Sequence, residues 1–130
     1  MRAVYADATR TSRYLALAKD GLWFTDWVPS SGAGPRIGRL PLSGTGAPRW
    51  MVRGVRAWFM ATGPDGRPWV GLARGKVARI STSGALTRLS LPRRYDGSEM
   101  TSSGGYVWYG AVQPFNAPDP GRSVIVRIRP

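Results

Sequence analysis

Gly63-Pro64-Asp65-Gly66-Arg67-Pro68-Trp69-Val70, continued by Lys76-Val77-Ala78-Arg79-Ile80 and closed by Ser83-Gly84, is the stretch that decides the fold of this 130-residue chain. A Gly-Pro-Asp-Gly turn opens onto an apolar run that carries a tryptophan. A second apolar run follows, then a Ser-Gly turn. Each of these turn residues favours a tight reversal, so the phrase predicts two short antiparallel strands. It occurs three times. Lys19-Asp20-Gly21-Leu22-Trp23-Phe24 leads to Arg36-Ile37-Gly38-Arg39-Leu40 and Ser43-Gly44, and Gly104-Gly105-Tyr106-Val107-Trp108-Tyr109 leads to Val124-Ile125-Val126-Arg127-Ile128. Trp23, Trp69 and Trp108 share one register, and Arg39, Arg79 and Arg127 share another.

Working outward, each repeat fills with further apolar runs. The first has strands over 13–18, 22–27, 36–40 and 48–53; the second over 57–62, 68–73, 76–80 and 86–91. The third has only three, over 99–102, 106–112 and 123–129. Four antiparallel strands in about 40 residues is the size of one β-propeller blade. The chain therefore reads as all-β and as one domain, with blades at 13–54, 55–92 and 97–130. Residues 1–7 form a spare strand. Three blades do not close a ring, because propellers run from about four blades to eight. The expectation is that residues 2–6 supply the missing outer strand of the third blade, and that two chains join with two-fold symmetry into one six-bladed propeller.

Composition narrows the chemistry. Cysteine and histidine are both absent, which removes thiol nucleophiles, thiolate metal sites and the commonest general base. The formal charge is +12, and all the basic residues are arginine except Lys19 and Lys76. One reading is a partner rich in phosphate or carboxylate; the other is an arginine-favouring composition spread over solvated strand faces. No apolar run resembles a signal peptide or is long enough to span a bilayer. A cytoplasmic protein, or a component of a virion, is the expectation.

The repeated phrase resembles the blades of the streptogramin B lyase family, the virginiamycin B lyase-like propellers, over roughly residues 13–130. Propellers of the NHL and SMP-30 type are more distant look-alikes. The resemblance implies a propeller scaffold. Lyases of that family are seven-bladed monomers that open a cyclic depsipeptide by elimination, using magnesium with histidine and glutamate side chains. Here histidine is missing and Glu99 is the only glutamate. Where the family's histidines fall, at the entry to each innermost strand, stand Arg13-Tyr14, Arg56-Ala57 and Ser98-Glu99. No catalytic residue carries over, so the resemblance implies a scaffold without the lyase site.

Tryptophans repeating on the second strand read as packing between blades rather than as a stacking platform. The in-register arginines read as lying along the blade or capping a carbonyl. Irregular loops on a rigid scaffold are better candidates for function. Loops joining strands two and three, and those leading to the next blade, emerge on one face. They carry Arg10, Arg13, Arg36, Arg53, Arg56, Arg74, Lys76, Arg93, Arg94 and Arg122 against Asp7, Asp26, Asp96, Glu99 and Asp119. Trp27, Tyr95 and Phe115 add aromatic surface, and Asn116 sits in the long loop 113–122. Arginine beside aromatics suits carboxylate, phosphate, carbohydrate or nucleic-acid contact and equally a protein partner. The residues expected to bind are Arg13, Trp27, Arg36, Arg56, Arg74, Arg94, Tyr95, Phe115, Asn116 and Arg122. Asp26, Asp96, Glu99 and Asp119 are the carboxylates that would hold magnesium if any do. The leading expectation is a non-catalytic binding or assembly module that pairs with itself. The alternatives are a magnesium-dependent lyase or hydrolase and an arginine-mediated nucleic-acid binder.

Overall fold

A computed structural model describes residues 11–27, 34–43, 46–91, 96–113 and 122–130. Among the described residues, eleven strands form three antiparallel sheets. The first holds β1 (Thr11–Ala18), β2 (Gly21–Trp27), β3 (Arg36–Leu40) and β4 (Arg49–Arg53), in that order. The second holds β5 (Ala57–Thr62), β6 (Pro68–Leu72), β7 (Lys76–Ile80) and β8 (Leu86–Ser90), again in chain order. In the third, β9 (Asp96–Ser103), β10 (Tyr106–Val112) and β11 (Ser123–Ile128) follow the same plan, with three strands among the described residues. These are blades. The expected closing strand over 2–6 lies outside the described residues. β1 begins two residues earlier than the apolar pattern predicts and β9 three. Both extensions are polar, and backbone pairing with β2 and β10 extends them where hydropathy gives no signal.

The turn chemistry works as the sequence predicts. Gly66 donates its N–H to the Gly63 carbonyl at 2.9 Å, and Gly63 donates to Arg67 at 2.8 Å. Gly66 stands at φ 73°, in the left-handed region that glycine tolerates without a side-chain clash. The turn also joins two blades, because Lys19 donates its N–H to the Gly66 carbonyl.

Side chains alternate along each strand, so each blade has two faces, and this two-residue period assembles the core. Met60, Val70, Leu72, Ala78 and Ile80 of the second blade pack on Ala16, Trp23, Ile37 and Val52 of the first. Trp69 and Val77, on the opposite face, pack on Val107, Tyr109 and Ala111 of the third. Innermost strand β5 lies against both β1 and β9. The blades thus fan around one edge.

The shared register has a physical basis. Trp23 faces Arg39 across the β2–β3 ladder, Trp69 faces Arg79, and Trp108 faces Arg127. The Trp23 indole N–H donates to Asp20 Oδ1 at 2.9 Å, while Arg39 donates to Asp20 Oδ2 at 2.5 Å. In the second blade Trp69 donates to Asp65 Oδ1 at 3.3 Å, and Arg79 lies 3.5 Å from Asp65 Oδ2. Arg39 and Arg79 therefore grip the turn aspartates rather than capping a carbonyl. The third blade has Gly104-Gly105 at this turn; its Trp108 donates to the Ser103 carbonyl, and Arg127 lies over the Tyr106 ring.

The third blade also departs in burial. Trp23 and Trp69 are buried between blades, whereas Trp108 is half-buried. Its face of the sheet looks away from the second blade, so the packing that repetition predicts is met twice and left open the third time.

Candidate functional site

The antiparallel order brings the ends of β2, β4, β6, β8 and β10 to one edge of the fan, here termed the upper rim. Each innermost strand breaks register close to this rim: between Ser12 and Leu15 in β1, between Ala57 and Phe59 in β5, and opposite Gly110 and Ala111 in β9. A bulge at that place bends the strand and re-aims one or two side chains out of the alternation. The bulged residues are Arg13 and Tyr14, then Trp58, then Ser98.

At the junction of the first two blades the rim folds into a narrow cleft. It is lined by Arg13, Tyr14, Thr25, Asp26, Trp27, Pro35 and Arg36 of the first blade, and across the junction by Val55, Arg56, Ala57 and Trp58. Arg56 is its centre. The guanidinium carbon lies 3.8 Å from the ring centre of Trp27 and 3.8 Å from that of Trp58. Two indoles at that distance do not fit on one face of a guanidinium, so they hold it from opposite sides. Such cation–π contacts contribute on the order of 0.5–1 kcal/mol each at exposed positions.

Asp26 is fully buried and accepts from Arg36 Nε at 2.6 Å, a charge-assisted bond across the β2–β3 ladder. The other side of Arg36 rests 3.3 Å over the Trp50 ring. Arg36 is thus spent in holding the blade together. Arg13 and Arg56 are exposed, and among the described residues neither makes a hydrogen bond or ion pair.

Of the residues expected to bind, Arg13, Trp27, Arg36 and Arg56 come together in this cleft. Arg74, exposed in the β6–β7 turn, and Arg122, exposed before β11, lie on the same rim but outside it. Arg94, Tyr95, Phe115 and Asn116 lie outside the described residues. Sequence reasoning did not single out Trp58. It falls inside an apolar run that reads as core strand, and in the structure its ring lies against Arg56 at the break in β5.

The carboxylates expected for a metal do not converge among the described residues, where no group of three or more acidic side chains could hold an ion. Asp26 is committed to Arg36, and Glu99 is exposed on the far face of the third blade beside Trp108 and Ile125. Asp119 and the side chain of Asp96 lie outside what is described. The described residues do not fit the magnesium site that the family resemblance implies.

No protein-family model matches the chain, and no curated protein does. Among solved structures, it is similar to virginiamycin B lyase from Staphylococcus aureus, with a TM-score of 0.58 and 21% identity. The alignment covers 91% of this chain and 41% of that one. The fold is therefore that of part of a propeller, and the chain spans less than half the length of the structure it matches.

Proposed function

We propose, from a fold shared with part of a lyase propeller, that this protein is a non-catalytic binding and assembly module. Two copies close into a six-bladed ring, and the upper rim engages an anionic ligand or a protein partner. One repeated position carries the assembly reading. Ile37 and Val77 stand two ladder positions in from the in-register arginines and are 0% exposed between blades; Ile125, in the same place on the third blade, is 78% exposed. At the other end of the fan, Leu15 and Leu17 on the outward face of the first blade are 60% and 65% exposed. The two open faces are of the kinds that mate inside the molecule, where the tryptophan face of one blade meets the opposite face of the next. A second copy offers both complements at once. Burying one such aliphatic side chain contributes about 1.5–3 kcal/mol, so covering all three favours closure.

The rim reading is supported by Arg13, Arg56, Arg74 and Arg122, which present positive charge on one edge beside Trp27 and Trp58. The non-catalytic reading is supported by a sequence without histidine or cysteine and by carboxylates that do not converge among the described residues. Light scattering at micromolar concentration tests the assembly. A mass of two chains is expected, unchanged on dilution over a decade. A one-chain mass would show that something other than a second copy covers these faces, and masses that grow with concentration would replace the ring by an open filament.

A further inference from the structure

Resting on this reading of the upper rim, we infer that the cleft around Arg56 receives an oxyanion head group, carboxylate or phosphate, carried on a larger molecule whose body stays outside. The inference starts from what Arg56 has left to offer. Its two π-faces are taken by Trp27 and Trp58 at 3.8 Å each. The five N–H donors of a guanidinium lie in its plane, so stacking leaves them free and fixes the direction in which they point. Among the described residues none of them has an acceptor.

Arg36, in the same lining, shows the contrast. It also stacks on an indole, Trp50, but its edge is given to Asp26. Asp26 is the one carboxylate lining the cleft among the described residues, and it is already paired. Among the described residues the cleft therefore has three guanidiniums to one carboxylate, with Arg13 and Arg56 uncompensated. A solvated arginine lying on a tryptophan is common enough. Here the ring on each side holds the fork still, so a bidentate oxyanion meets donors already oriented and little side-chain freedom is lost on binding.

Size sets the rest. The cleft leaves about 20 Å³ of room for a water-sized body, close to what a single water molecule needs. That admits the leading oxygen of a carboxylate or phosphate and excludes a whole nucleotide or sugar. The surrounding Tyr14, Trp27, Val55 and Trp58 offer an apolar collar to the atoms next to the head group.

The test is titration of the full chain at low salt with benzoate and with phenyl phosphate, followed by tryptophan fluorescence and calorimetry. One site per chain is expected, and the tighter of the two probes identifies the head group. Arg56→Gln should weaken binding about ten-fold or more, the usual cost of losing a charged hydrogen bond. Arg56→Lys should not restore it, because an ammonium has no planar fork. Arg13→Gln should weaken it about three-fold, and it decides the matter if near-ultraviolet dichroism shows that Arg56→Gln disturbs the fold. Arg88→Gln, on outer strand β8, should change nothing. An equal loss in Arg56→Gln and Arg74→Gln would overturn the cleft as the site while leaving the basic rim standing. Failure of the wild-type chain to bind either probe or inorganic pyrophosphate would overturn both.

Discussion

Trp23 and Asp20 are bonded across the first turn, indole N–H to carboxylate oxygen at 2.9 Å, with Arg39 on the other oxygen of the same carboxylate. One side chain thereby satisfies a buried indole and a half-buried guanidinium. Asp20→Ala leaves both donors without their acceptor and should lower stability by about 2 kcal/mol, as expected for charged hydrogen bonds. Asp65→Ala removes the same arrangement from the second blade, where the contacts are 3.3 and 3.5 Å, and should cost about 1 kcal/mol. Urea unfolding of the two variants checks the order, and an equal loss in both would contradict it.

Ring closure makes a prediction about mixtures. Ile125→Asp should ruin the open face of the third blade, and Leu17→Asp that of the first. Each variant alone should lose both of its contacts and run at the mass of one chain. Mixed in equal amounts they should recover a two-chain species held by the single interface in which both faces are intact. Sedimentation velocity reads this directly. Two-chain mass for either variant alone would place the contact elsewhere.

Arg74 stands at φ 61° in the β6–β7 turn, a left-handed conformation that strains a side chain bearing a Cβ. Asparagine accepts this conformation more readily. Arg74→Asn should raise stability by about 1 kcal/mol, seen as a higher midpoint in urea with an unchanged slope. A lower midpoint would mean that the guanidinium makes a contact worth more than the strain.

Gly38 lies opposite Phe24 in the β2–β3 ladder, under the edge-to-face pair that Phe24 makes with Trp50. A Cβ there would come within 2.6 Å of the Phe24 ring and 2.8 Å of the Trp50 ring. Gly38→Ala should therefore cost about 2 kcal/mol by overpacking. It should also loosen Trp50 from Arg36, visible as a shift in tryptophan emission. Wild-type stability in this variant would show that the ring pair moves freely.

The three-fold phrase made the blades legible, because turn residues and a two-residue apolar period both report local geometry. The pairing of Trp23 with Arg39 was legible as shared register, but the grip on Asp20 was not. An Asp-Gly pair reads as a turn whether or not its carboxylate has a second task. Arg13, Trp27, Arg36 and Arg56 were legible as rim residues from strand order alone. Trp58 was not, since it falls inside an apolar run that reads as core strand, and the break in register at that position leaves no mark in hydropathy. The half-exposure of Trp108 was likewise hidden. Repetition predicts a neighbour for each tryptophan, whereas burial depends on whether that neighbour is there.

The register breaks near the rim in β1, β5 and β9 have one more consequence. A residue at such a break steps out of the two-residue alternation, so its direction is set by its neighbours rather than by the ladder. Its identity can change with little cost to the sheet, and the three blades illustrate this by carrying Arg13-Tyr14, Trp58 and Ser98 there. The architecture thereby separates two inheritances: a frame that resists substitution, and a short row of sockets around its mouth in which new chemistry can be tried one residue at a time.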